Sequence, residues 1–89
     1  MEIEYSPQFH RAYKKLPLHI KKLAEKQEKI FRANPLDSRL RTHKLLGRLR
    51  DYRAFWIDNK HRIIFSFEGA NKYRFHTVGD HSIYKRFKP

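Results

Sequence analysis

Hydrophobic positions change their period near the middle of the chain. Residues 2–5 (EIEY) alternate, which predicts a short strand with Ile3 and Tyr5 on one face. Ser6 and Pro7 then read as the N-cap and first position of a helix, since a serine oxygen can accept an orphan amide and proline has none to satisfy. Phe9, Tyr13 and Leu16 recur at helical spacing. Pro17 ends that helix and opens a second one, which runs to about Asn34 with Leu18, Ile20, Leu23, Ala24, Gln27, Ile30 and Phe31 as its inward stripe. The lysines opposite that stripe form a solvated face. The first half is therefore an amphipathic helical hairpin.

After the breaker NPLDS the pattern alternates. RTHKLL, DYRAFWI, HRIIFSFE and KYRFHTV read as four strands, separated by turn signals at Gly47, Asp58-Asn59 and Gly69-Ala70-Asn71. Phe55, Ile57, Ile63, Phe65, Phe67 and Phe75 are expected to face the helices. Ala54, Trp56, Arg62, Ile64, Ser66, Arg74 and His76 are expected on the other face. Placing Trp56 and Arg62 together requires an odd number of residues between them, because successive strand residues point oppositely. The expected fold is α+β: an N-terminal strand and helical hairpin packed on a four-stranded antiparallel meander, one domain over residues 1–89.

Composition narrows the function. With 39% apolar and 15% aromatic residues, the 89-residue chain can build a core despite its charge. The absence of cysteine excludes disulfides and thiolate metal sites. The opening MEIEYSPQFHR does not resemble a secretory signal and no apolar run approaches spanning length, so the expected location is cytoplasmic, with no membrane partner. From Ser38 onward there are 13 Lys and Arg against 4 Asp and Glu, a net of +9; before it there are 8 against 5, a net of +3. Such a field attracts polyanions. Interleaved aromatics rank nucleic acid ahead of an acidic protein, anionic lipid or a merely solvated surface.

The stretch GDHSIY sets His81 and Tyr84, both able to move protons, beside Lys85 and Arg86, which suggests phosphate chemistry. No carboxylate cluster or paired ligand set points to a metal or other cofactor, and Asp58 and Asp80 read as turn residues. The element order, with THKLLGRLRDYRAFWID leading into HRIIFSFE and closing on VGDHSIY, resembles the RelE/ParE toxin superfamily over essentially the whole chain. It is more similar to the RNA-cleaving RelE, YoeB and YafQ branches than to the gyrase-poisoning ParE branch. The resemblance implies an mRNA interferase that cleaves mRNA in the ribosomal A site, with mRNA and the ribosome (ribosomal RNA) as partners, neutralised by a cognate antitoxin in a heteromeric complex.

The residue types fit that chemistry. An RNA 2′-hydroxyl can attack the adjacent phosphorus if one group takes its proton, another protonates the departing 5′-oxygen and a cation stabilises the charge. By resemblance, His81 matches a histidine of the YafQ and YoeB type, Arg62 an arginine of the RNA-cleaving members, His43 a histidine of the YafQ branch and Tyr84 a C-terminal aromatic. For His81 the competing role is a turn histidine, for Arg62 a structural ion pair, for His43 packing beside Leu45, and for Tyr84 closing the core edge. Trp56 and His61 are expected to flank the site, where a base needs something to stack on, with the core competing for Trp56. Lys44, Arg48, Arg50, Arg53, Lys85 and Arg86 are candidate phosphate contacts. Two readings stay open: a metal-independent endoribonuclease, or a binding protein that poisons gyrase or, as a decayed toxin, only holds its antitoxin.

Overall fold

The computed structural model describes all 89 residues. Strand β1 (Glu2–Tyr5) leads into helices α1 (Pro7–Lys14) and α2 (Leu18–Ala33). Strands β2 (His43–Lys44), β3 (Arg53–Trp56), β4 (His61–Gly69) and β5 (Lys72–Asp80) follow, and one turn of helix, α3 (Ile83–Arg86), ends the chain. The sheet order is β1-β5-β4-β3-β2. The four later strands form the expected antiparallel meander, and β1 joins it in parallel beside β5, making one five-stranded mixed sheet.

Ser6 explains how the hairpin is attached. Its hydroxyl accepts from the Phe9 amide at 2.9 Å, capping α1, and donates to the His76 carbonyl at 2.8 Å, fastening the cap to β5. Helices α1 and α2 then bury Phe9, Ile20, Ala24 and Phe31 against Phe55, Ile57, Ile63, Phe65, Phe75 and Val78. Phe31 is fully buried, with the rings of Phe55, Phe65, Tyr73 and Phe75 at 5.0–5.3 Å. Each such ring contributes roughly 1.5–3 kcal/mol of transfer free energy. Gln27 lies in the inward stripe because it has partners: its amide donates to the Trp56 carbonyl at 2.8 Å and tethers α2 to the end of β3.

Three expectations change. RTHKLL forms strand only at His43–Lys44, because Leu45 and Leu49 turn under the sheet and a 3-10 turn at Gly47–Leu49 replaces the ladder. Phe67 is 48% exposed; β3 ends where Arg53 pairs with Phe65, so this ring lies beyond the core, under the Arg53 guanidinium at 4.5 Å. The face opposite the helices is itself covered in its centre by a second core of Leu45, Leu49, Ala54, Ile64, Ile83 and Phe87.

A bulge sets the phase of the last strand. Phe65 pairs with Phe75 and Ile64 with Thr77, so His76 is the extra residue. Val78 therefore joins the helix-side core, and Gly79 comes opposite Arg62. A Cβ on Gly79 would sit 2.6 Å from Ile83 Cγ2. The missing side chain lets α3 fold back onto the sheet beside Arg62.

Candidate active site

Arg62 lies at the centre of the cluster and is only 4% exposed. One terminal nitrogen donates to the carbonyls of Asp58 (2.7 Å) and His61 (3.0 Å). The other donates to the carbonyl of Asn59 (3.2 Å) and lies 3.3 Å from His81 Nε2. The guanidinium plane rests on the Trp56 ring at 3.9 Å, and Trp56 pairs with Arg62 across the ladder with five residues between them, an odd number as the shared face requires. The guanidinium expected to stabilise the charged phosphate is thus engaged with the β3–β4 loop, because a buried cation must be fully partnered.

His81 is exposed at the end of β5, with Nε2 3.3 Å from both the Arg62 guanidinium and the Asn59 carbonyl. These partners are mutually exclusive. An unprotonated Nε2 accepts from Arg62; a protonated one donates to Asn59. The proton on His81 therefore has a defined place in either state, while the ring stays open to solvent. Tyr84 stands edge-on to it at 6.5 Å between centroids. The Tyr84 hydroxyl is buried with no well-aligned hydrogen-bond partner. Burial pushes its phenol above the ordinary tyrosine value, partly opposed by the Arg62 cation, so it stays protonated near neutral pH.

The loop under the cluster is fixed by Asp58, whose carboxylate accepts the amides of Lys60 (2.9 Å) and His61 (2.7 Å) and faces His61 Nδ1 at 3.0 Å. Burial pushes the Asp58 carboxyl up, but those donors outweigh it and hold it below its ordinary value. This residue type signals a turn, and a turn is what it builds.

A family model described as "Bacterial toxin of type II toxin-antitoxin system, YafQ" matches residues 1–85. The chain belongs to the YafQ toxin family. Among solved structures, Escherichia coli YafQ superposes with a TM-score of 0.77 at 22% identity, covering 93% of this chain and 96% of that one. The YoeB–YefM complex of Staphylococcus aureus gives 0.73 at 22% identity (91% and 97% covered), and the RelB–RelE antitoxin–toxin complex of Methanococcus jannaschii 0.73 at 24% (96% and 99% covered). These establish the RelE-like fold. No curated protein matches.

Against that YafQ-family frame, the remaining candidates divide. His43 pairs with Ala54 and so shares the face of Trp56 and Arg62, but its one side-chain hydrogen bond is to Arg41 and not to the cluster. Its Nδ1 lies 3.0 Å from the Arg41 carbonyl, and the tautomer that donates there leaves Nε2 free to accept a proton. Lys44 and Arg53 pair with each other and project from the helix-side face, as alternation dictates. His61 projects there too, held by Asp58, rather than flanking Trp56. Lys85 and Arg86 are exposed on α3 and Arg50 is exposed at the end of its 3-10 turn. Trp56 lies under two guanidinium groups, Arg62 and Arg41, the latter at 4.5 Å. A base stacking on it must displace the exposed Arg41, a residue for which the sequence pattern carried no signal.

Arg48 is the clearest reassignment. Its guanidinium donates to the carbonyls of Phe87 (2.7 Å), Tyr84 (2.9 Å) and Lys85 (2.9 Å), capping the C-terminal end of α3 where a cation is favoured. Arg48→Ala is expected to lose about 1–2 kcal/mol in urea unfolding. Because α3 carries Tyr84, the same variant should also lose part of its activity.

A second polar cluster sits farther along the same face. The Ser66 hydroxyl lies 2.8 Å from Glu68 and 2.7 Å from His76 Nε2. A carboxylate only accepts, so Ser66 donates to Glu68 and the imidazole N–H donates to Ser66. Burial, and then the Arg74 charge, push His76 below the ordinary histidine value. The unfolded chain thus binds this proton more readily, and stability should fall as pH drops through about 6.5. Comparing melting temperatures at pH 7.5 and 5.0, His76→Gln should show a smaller acid-side loss than the parent.

No group of three His, Cys, Asp or Glu side chains is placed to hold a metal ion, and no helix is long and apolar enough to cross a membrane.

Proposed function

We propose that this chain is the toxin of a type II toxin–antitoxin pair and an mRNA interferase, cleaving ribosome-bound mRNA by attack of the RNA's own 2′-hydroxyl. Family membership supports the class of activity. The observation that carries the chemistry is the layered arrangement at the end of β5: an exposed His81 backed by the buried Arg62 cation. In this reading the 2′-oxygen bonds to phosphorus, the P–O5′ bond breaks, the 2′-proton passes to a base and the 5′-oxygen receives one. The products are a 2′,3′-cyclic phosphate and a 5′-hydroxyl. His81 transfers one proton and His43, with Nε2 free, the other. Arg62 holds His81 and the loop while adding positive potential beneath the phosphate, and Tyr84 packs against Arg62. Lys85, Arg86 and Arg50 hold the strand. The ribosome orients a substrate that so shallow a surface cannot orient alone.

The partner in this reading is a cognate antitoxin, and the compartment is the cytoplasm, where ribosomes are. The YoeB and RelE structures named above each contain an antitoxin. The test is an mRNA carrying one 2′-deoxynucleotide at the mapped cut site, presented on translating ribosomes. Cleavage there should vanish while other sites are still cut; persistent cleavage at the deoxy position would refute 2′-hydroxyl attack.

A further inference from the structure

Arg41 connects the two halves of the site. Its backbone is left-handed (φ 51°, ψ 40°), a conformation that crowds any side chain at Cβ. The other non-glycine residue with positive φ, Asn71, lies in the β4–β5 turn and is of a type that tolerates it. An arginine adopts it only where its surroundings impose it. Here they do: Leu40 before it is fully buried, and the Thr42 hydroxyl after it donates to the Pro35 carbonyl at 2.6 Å. The turn aims both the carbonyl and the side chain of Arg41 at the site. The carbonyl meets His43 Nδ1 at 3.0 Å, and the guanidinium lies over the Trp56 ring at 4.5 Å.

The sheet register sets that guanidinium between the two histidines. His43 pairs with Ala54, Trp56 with Arg62 and Arg62 with Gly79, so Arg41 continues the line of β2 to the position beside Trp56. A row of Arg41, Trp56 and Arg62 thus crosses the face. His43 stands two residues beyond this row on one side, and His81, two residues past Gly79, on the other. In displacement at phosphorus the 2′-oxygen enters and the 5′-oxygen leaves on opposite sides, so base and acid stand apart and the cation meets the non-bridging oxygens between them.

Two guanidinium groups flank Trp56, and only one is free. Arg62 is buried, with its N–H groups on the carbonyls of Asp58, His61 and Asn59. Arg39, next to Arg41 in the same turn, is paired with Asp37 at 2.9 Å. Arg41 is exposed, and its guanidinium makes no hydrogen bond or ion pair within the chain. Its contact is with the face of the indole, which leaves every N–H at the edge of the planar fork open to a ligand. A fork presented in this way fits two oxygens of one phosphate.

We propose that Arg41 is a catalytic residue of the cleavage reaction, holding the non-bridging oxygens of the scissile phosphate and taking the charge-stabilising role expected of Arg62. Trp56 is then the platform for this arginine and not a stacking surface for an RNA base. The proposal rests on the nuclease reading and supplies its cation.

Glycine keeps the left-handed backbone and deletes only the side chain, so Arg41→Gly is the test variant. Arg41→Asn, which also tolerates that backbone, covers the case in which glycine loosens the turn. Single-turnover cleavage is measured with saturating toxin on translating ribosomes, using an mRNA with one phosphorothioate at the mapped cut site and its two diastereomers separated. Both variants should melt close to the parent and cleave unmodified mRNA about 10²-fold more slowly. The parent should cleave one diastereomer about tenfold more slowly than the other, because sulfur replaces an oxygen that the fork holds, and in both variants that preference should largely vanish. A folded variant that cleaves at the parental rate would overturn the proposal. So would a slow variant that keeps the parental preference, which puts the guanidinium on a base or on flanking RNA, and so would a defect seen only below saturation, which makes it a binding contact. Unfolding of both variants would show the side chain to be structural and overturn it too. A parent that leaves mRNA uncut sinks the nuclease reading and this residue's role together, whereas a cutting parent with unaffected variants sinks this proposal alone.

Discussion

Replacing His81 by alanine is expected to lower mRNA cleavage on translating ribosomes by about 10²–10⁴-fold, the usual contribution of a positioned acid or base. Stability should change little, because the imidazole is exposed and its two contacts are long. The informative companion is His81→Gln. A glutamine amide can still accept from Arg62 or donate to the Asn59 carbonyl, but it cannot transfer a proton. If His81 acts in proton transfer, both variants are equally inactive; if it only braces the loop, glutamine restores most of the activity. Cleavage would be read by 5′-end mapping and fold by circular dichroism. A folded His81→Ala protein that cleaves at the parental rate removes the histidine from the mechanism.

Periodicity sufficed for the helices and the meander because the apolar stripe of α2 and the alternation of β3 to β5 are strong local patterns, each satisfied in place. It did not show β1 joining β5, since a parallel pairing between strands some seventy residues apart leaves no local trace. Nor did it show the bulge at His76, where one extra residue shifts the phase of Thr77 and Val78. At the site, the residue types were legible and their partners were not. His81 and Tyr84 come to Arg62 as the closing motif suggested. Arg48 and Arg62 looked alike in sequence as phosphate ligands, yet each spends its donors on backbone carbonyls, and a carbonyl's direction is a property of the fold. Lys44 and Arg53 show the reverse error: strict alternation from Ala54 already placed Arg53 on the other face, but charge alone made it a candidate.

Arg62→Ala should be the most destabilising substitution in the site, costing about 3–4 kcal/mol. The carbonyls of Asp58, Asn59 and His61 would lose their donor, and an unsatisfied buried polar group costs roughly 1–3 kcal/mol before water re-enters. The stacking contact with Trp56 is lost as well, worth on the order of 1–2 kcal/mol when desolvated. For a chain of this size, 3–4 kcal/mol lowers the melting temperature by roughly 15–25 °C, a large part of a typical total of about 5–15 kcal/mol. Lysine should rescue little: its ammonium keeps the charge but cannot reach three carbonyls and a histidine with a planar fork. Trp56 is the one tryptophan in the chain, so its fluorescence reports directly on the loop during urea unfolding. Activity should be compared at low temperature, where the variant is still folded. There, the loss in Arg62→Ala should at least equal that in His81→Ala, because the histidine loses its backing and the loop its brace together. If instead Arg62→Ala is as stable as the parent and inactive, the guanidinium is free to leave the loop and acts on the phosphate itself. In that case the hydrogen bonds to Asp58, Asn59 and His61 describe only a resting state.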